Sequence, residues 1–199
     1  MTNVAIIYYS STGNLQSMAE QLEKAATGTG ATVRRRHVEE IAPQAAIDGN
    51  PAWAEHVEAI RDEPKASPED IAWADVVLLG SPTRYGNVTS QFQQFIDTLG
   101  PLWAEGRLAD KVYAGFTSTQ TTHGGQEGTI QQIYTMVAHF GGIIVPPGYT
   151  DPLKFVDGNP YGASHVSGAE GDLPLEDSTT AALDHLAERA IRIAERLAA

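Results

Sequence analysis

The chain has 199 residues, enough for one sizeable domain that buries a core without disulfides or structural metal. A total of 13 Lys and Arg against 25 Asp and Glu leaves a formal net charge of −12, which argues against an electrostatic grip on nucleic acid or an anionic membrane. With no cysteine, disulfide frameworks, thiolate catalysis and cysteine-held metal or iron–sulfur clusters are excluded, and no metal site is expected.

The first apolar run, VAIIYY at 4–9, is too short for a helix and predicts a strand covered on both faces. A polar cup, SSTGN at 10–14, follows, and Leu15, Met18 and Leu22 then recur at helical spacing until Gly28 and Gly30. ATVRRRHV at 31–38 predicts an edge strand whose arginines meet water. From Pro43 to Pro68 the composition is polar and punctuated by proline, a surface excursion with one short helix around PAWAEHVEAI. ADVVLLG at 74–80 predicts a buried central strand and SPTRYGN a loop, with Phe92, Phe95, Ile96 and Leu99 as the stripe of a helix stopped by Gly100 and Pro101. KVYAGFTS at 111–118 is a fourth strand, TQTTHGGQE a loop, and Ile130, Ile133, Val137 and Phe140 the next helical stripe. GIIVPPG is the fifth strand. Residues 147–175 are rich in glycine, proline and asparagine and predict a long functional or interface loop. Leu183, Leu186, Ala190, Ile193 and Leu197 mark a final helix, with Asp177 or Ser178 available as its cap. No apolar run approaches the ~20 residues that cross a bilayer and no signal-length segment opens the chain, so no stable membrane insertion and a cytoplasmic location are expected.

Five apolar strands separated by helices imply an α/β fold, a doubly wound parallel sheet with helices on both faces, and a single domain over 1–199 with excursions at about 43–68 and 147–175. Right-handed crossovers put every strand-to-helix loop on one edge of that sheet, where ligands of such folds sit. The loops after strands one, three and four should therefore converge. In the first, Ser10, Ser11 and Thr12 offer hydroxyls, Gly13 close backbone approach and Asn14 an amide, at the amino end of the helix that Leu15 begins. This pattern reads either as an anion site or as an ordinary capped helix. The Gly-Lys-Ser/Thr of a nucleotide-triphosphate loop is missing, as is the three-glycine dinucleotide fingerprint, so a monophosphate fits better. The second loop offers Pro82, Thr83, Arg84, Tyr85, Gly86 and Asn87 to a flat ring; alone it also reads as a proline turn with exposed Arg and Tyr. The third offers Ser118, Thr119, Gln120, Thr121, Thr122, His123 and Gly124, or else a flexible polar turn.

YYSSTGN, GSPTRYGN, FTSTQTTHGGQE, AHFGGIIVPPGY and NPYGASHVSG together resemble the WrbA family of flavodoxin-like NAD(P)H:quinone oxidoreductases, in matching order over nearly the whole chain. The first motif is shared with flavodoxins broadly, whereas PTRYGN, HGGQE and NPYGA are far more specific. The resemblance implies a flavodoxin-like sheet of order 2-1-3-4-5 and noncovalent FMN, its phosphate at Ser10 to Leu15 and its ring between the second and third loops. It also implies NADH or NADPH as co-substrate, two-electron reduction of quinones, and a homotetramer. Thr12 stands where the family often has tyrosine.

His139 and Trp103 correspond to flavin-site residues of that family. Helix geometry puts His139 roughly 18 Å along an axis that runs away from the ligand edge, out of reach of its own chain's flavin, and Trp103 also falls at the far edge. They are either surface residues or parts of a neighbouring subunit's site, and the second reading is preferred. Arg84, His139 and Trp103 are thus the catalytic candidates. Ping-pong hydride transfer is the expected reaction, and a flavodoxin-type electron carrier or a flavin-binding regulatory protein the alternative.

Overall fold

The computed structural model describes residues 1–199. Its elements run β1 (Asn3–Tyr8), α1 (Asn14–Gly28), β2 (Thr32–His37), α2 (Gln44–Asp48), α3 (Pro51–Ala59), α4 (Pro68–Trp73), β3 (Val76–Gly80), α5 (Ser90–Asp97), α6 (Gly100–Ala104), β4 (Val112–Thr119), α7 (Gln126–Phe140), β5 (Ile143–Ile144), α8 (Lys154–Asp157), β6 (Ala163–Val166) and α9 (Asp177–Leu197). The sheet is parallel throughout, in the order β2-β1-β3-β4-β5 expected from the resemblance.

Side chains alternate across each strand, and here both faces are covered. Val4, Ile6, Tyr8, Leu78, Ala114 and Phe116 pack against Leu15, Met18 and Leu22 of α1 and Leu183, Leu186 and Ala190 of α9. Ala5, Ile7, Tyr9, Val77 and Leu79 pack against Phe92, Phe95 and Ile96 of α5 and Ile133 and Val137 of α7. Each large side chain so buried contributes roughly 1.5–3 kcal/mol. The stripe predicted for the last helix is buried only in part. Leu197 is exposed because α9 outruns the sheet, and Ile191 and Ala194 take up the inner face. Neither predicted residue caps α9: Glu176 is the N-cap without a side-chain bond, and Asp177 is the first helical residue, its carboxylate set at the positive end of the helix dipole.

The edge arginines of β2 are less solvated than their sequence suggests. Arg35 pairs with Glu23 and Glu63 at 2.8 and 3.0 Å, while Arg34 and Arg36 share Asp70, each at 3.3 Å.

Two further differences from the sequence reading lie in the excursions. Residues 43–68 hold α2 as well as the predicted α3, which is capped by Asn50, whose Oδ1 accepts the N–H groups of Ala52 and Trp53 at 3.1 and 3.3 Å. Residues 147–175 are not one long loop. β6 adds a sixth strand that pairs Ala163–Val166 with Phe116–Thr119, while β5 pairs only with Val112 and Tyr113, so two short strands share one edge of β4. ASHV carries too little apolar alternation to announce a strand. What holds it is local fit: a Cβ at Gly162 would lie 2.2 Å from the Gly115 carbonyl oxygen, so only glycine lets the chain return against β4. The carbonyl of Gly162 also accepts a bond at 3.2 Å from Lys154 Nζ, a fully buried ammonium paired with Asp157.

Candidate active site at the carboxyl edge of the sheet

The loops after β1, β3 and β4 meet as the parallel topology requires. Gly13 is the N-cap of α1 at φ +97°, a conformation open to glycine, and no side chain caps the helix. The Ser10 hydroxyl instead accepts the Gly13 N–H at 3.0 Å, holding the cup closed while α1 presents its amino end unblocked. No side chain therefore caps α1. The Asn14 amide donates to the Gly171 carbonyl at 2.9 Å, which ties the cup to the segment after β6, and Leu15 is buried in the core.

The second loop is braced from below by Ser81, whose hydroxyl accepts the Thr89 N–H at 3.0 Å. Thr83 donates its N–H to the Ser118 carbonyl at 3.0 Å. Its hydroxyl takes the Gly86 N–H at 3.1 Å and meets Thr129 Oγ1 at 2.9 Å. Arg84 and Asn87 exchange both backbone hydrogen bonds, at 2.7 and 3.0 Å, around Tyr85 at φ 54° and Gly86 at φ 81°. Positive φ at both central positions is a type I′ turn. Tyr85 therefore holds an unfavourable backbone conformation, on the order of 1–2 kcal/mol, with its ring fully exposed. Arg84 Nη2 donates to Ser11 Oγ at 3.4 Å. The first cup contains no cation of its own; the second loop brings one to it.

In the third loop, Thr119 Oγ1 donates to the Thr121 carbonyl at 2.8 Å and Gln120 reaches the Ala169 carbonyl at 3.0 Å. A Cβ at Gly125 would lie 2.9 Å from Gly86 Cα, so the second and third loops touch backbone to backbone, and one at Gly124 would lie 2.7 Å from Thr119 Cβ, so the third loop folds tightly on itself. Ser11, Thr12, Asn14, Pro82, Thr83, Arg84, Ser118, Thr119 and Gln120 surround one cavity of about 350 Å³. Thr121 is exposed, and Thr122 and His123 turn to a separate cavity beside β6 and the 147–162 insertion.

Sequence reasoning missed Asn50, Ser167, Glu170 and Gly171, which complete the wall of the first cavity from the two excursions. It also missed Glu40. That carboxylate accepts from Tyr9 Oη at 2.7 Å, Trp53 Nε1 at 2.8 Å, Gln91 Nε2 at 2.8 Å and the Ile41 and Ala42 amides at 2.9 and 2.8 Å. No local motif announces it, since its partners lie 13, 31 and 51 residues away. Glu40 thereby fastens α3 to β1 and α5 behind the cup. Far away, at the opposite sheet edge, Trp103 Nε1 donates to the His139 carbonyl at 2.9 Å, and both residues are exposed.

Comparison with known proteins agrees with this architecture. The profile of the NADPH-dependent FMN reductase family matches residues 2–151. A Deinococcus radiodurans protein named NAD(P)H dehydrogenase (quinone) is 44% identical over 98% of this chain and 96% of its own. The chain belongs to the WrbA-type NAD(P)H dehydrogenase (quinone) family. A Caulobacter vibrioides relative of the same name is 38% identical over 97% of this chain and 99% of its own. The crystal structure of a WrbA-like flavodoxin protein from Agrobacterium tumefaciens superposes with a TM-score of 0.68 at 20% identity, covering 98% of this chain and 99% of that one, a likeness of fold.

Burial alone would raise the Glu40 carboxyl's pKa, but the hydrogen bonds from Gln91, Tyr9, Ala42 and Trp53 outweigh it and hold the group below the usual carboxylate range. A depressed folded pKa stabilises above the unfolded value and is lost as pH falls through the folded one. Glu40→Gln should therefore lower unfolding stability at neutral pH by about 1–2 kcal/mol, on the scale of lost charged hydrogen bonds at a half-buried site. Urea unfolding of both proteins should show this difference shrinking as the carboxyl protonates below about pH 4.

Proposed function

We propose that this chain is an FMN-dependent NAD(P)H:quinone oxidoreductase acting as one domain in the cytoplasm. The observation that carries the reading is the uncapped amino end of α1, facing a mainly polar-walled cavity into which Arg84 arrives from another loop. An open helix terminus, hydroxyls and one guanidinium suit a phosphate monoester, and the remaining amides and hydroxyls suit a polyol chain. Ser10 to Leu15 would hold the phosphate. Thr83, Ser118, Thr119 and Gln120 would hold the polyol, and the 82–87 loop with the inner half of the third loop the edge of the ring. Bound FMN would supply hydride chemistry, oxidising NAD(P)H and reducing a quinone by two electrons.

The chain's own part is to bind, orient and screen. Tyr85, held by its I′ turn, offers an exposed aromatic face beside the cavity mouth. Arg84 places positive charge where negative charge must be stabilised, and no Ser-His-Asp arrangement is called for. Donor and acceptor using the same open mouth in turn give ping-pong kinetics. Thr12 leaves the first loop without the aromatic contact that tyrosine would give an incoming nicotinamide.

The protein would act as a homotetramer in which Trp103 and His139 of one subunit complete a neighbour's site. Support comes from their being joined by a hydrogen bond, exposed, and a sheet's length away from their own cavity. In that arrangement Trp103 would wall the ring and His139 would add to anion stabilisation.

The purified chain should take up FMN and, mixed anaerobically with NADH or NADPH, lose its visible flavin absorbance rapidly and regain it on adding a quinone. A protein that takes up no FMN contradicts the proposal; one that takes up FMN yet reacts with neither nicotinamide is a carrier of the flavodoxin type. Specific activity should fall on dilution in step with loss of the tetramer in analytical ultracentrifugation. A fully active monomer would overturn the shared-site arrangement.

A further inference from the structure

Beneath the first loop lies a group that the function proposed above does not use. His56, on α3, is 92% buried, its residual exposure being 8%, and Nδ1 sits 3.7 Å from where a Cβ of Gly13 would stand. Its Nε2 is buried with no hydrogen-bond partner. An orphaned buried nitrogen is costly and uncommon in a folded chain. His37, the neighbouring imidazole, differs: its two nitrogens lie at 3.3 and 3.2 Å from the Val38 and Glu63 carbonyl oxygens. Asn50, the N-cap of the same helix α3, lines the cavity with Ser11, Thr12 and Asn14. Asn50 spends its side-chain oxygen on its own helix and has its amide group to spare. The 43–68 excursion thus reaches the cup, Asn50 sharing the cavity wall with Arg84.

We propose that His56 is the positioning residue beneath the phosphate loop: a phosphate monoester bound above Gly13 draws one solvent proton onto its imidazole, which then serves as the second counter-charge beside Arg84. This rests on the FMN reading above. No covalent bond changes; binding of the anion and uptake of the proton are one linked equilibrium. The free Nε2 lets the ring change protonation without breaking a hydrogen bond.

The surroundings fix the sign. Without an anion, burial and then the His37 ring hold His56 below the usual imidazole range, against the opposing pull of Glu63 after α3, the Ser10 backbone and Glu20 of α1. The ring is therefore neutral at neutral pH. A dianion in the cup favours the charged form, so phosphate affinity rises as pH falls from the bound-state pKa toward the free-state pKa, about tenfold for each unit between them. Glu170 also stands on the cavity wall.

The test uses the flavin-free full chain titrated with FMN and with riboflavin, which lacks the phosphate, from about pH 8 to about pH 5.5, in the wild type and in His56→Asn. Asparagine keeps a small donor but takes up no proton. The phosphate's own ionisation near pH 6 is common to both proteins and cancels in their ratio. The expected result is that FMN affinity in the wild type, relative to His56→Asn, rises as pH falls, with no such trend for riboflavin. Overlapping FMN profiles in the two proteins overturn the inference while leaving the FMN site standing; failure of both proteins to bind either flavin removes the FMN reading and this inference with it. A second variant separates a merely structural role. His56→Leu removes the orphaned nitrogen, so the flavin-free chain should unfold at no lower urea than the wild type while its FMN affinity drops. Lower stability with unchanged FMN affinity would contradict the assignment.

Discussion

The amino end of α1 governs this molecule. It stands at the carboxyl edge of a parallel sheet, and its first turn has no side-chain cap. Open amides and a helix dipole at a polar cavity amount to a standing demand for an anion. The surrounding structure answers that demand from a distance. Arg84 reaches Ser11 from the loop after β3, Asn50 arrives on the wall from the first excursion, and Gly171 from the second takes the Asn14 amide out of the cavity's service. A chain with net charge −12 builds its anion site chiefly from backbone, hydroxyls and one imported guanidinium.

Buried polar groups do the work of holding these distant pieces together. Glu40 collects donors from β1's end, α3 and α5, so one carboxylate ties three elements together behind the cup. Lys154 and Asp157 play a comparable part in the second excursion, where the ammonium also grips Gly162 at the point where the chain rejoins β4. Isolated, such charges would be costly; paired and hydrogen-bonded, they fix one arrangement of segments that are otherwise loop-like. The strained Tyr85 has no comparable structural benefit, which is the pattern of strain retained for a site.

The fold was legible because its signals are local and periodic. VAIIYY, ADVVLLG and KVYAGFTS are apolar on both faces, and the stripes through Leu15 and Phe92 run at helical spacing, so a parallel sheet and the meeting of three loops at one edge followed from alternation and chirality, while the strand order came from the family resemblance. β6 was not legible, because Ala163 to Val166 is a strand by virtue of its fit at Gly162 and its place beside β4, neither of which is written in four residues. Site residues in the strand-end loops were visible as hydroxyl and glycine clusters; Asn50, Glu40 and His56 were not, since each acquires its role from partners brought near only by folding. Thr122 and His123 show the converse: the loop containing them reads as one polar cluster, but its outer half faces away from the cavity.

The most direct measurement of the central claim is amide hydrogen exchange on the full chain with and without FMN. The account predicts protection concentrated at residues 10–15, 83–87 and 118–121, with a weaker effect near Asn50 and Gly171. With riboflavin, protection at 10–15 should be lost selectively. Absence of protection at 10–15 with FMN, or protection centred elsewhere on the molecule, would contradict it.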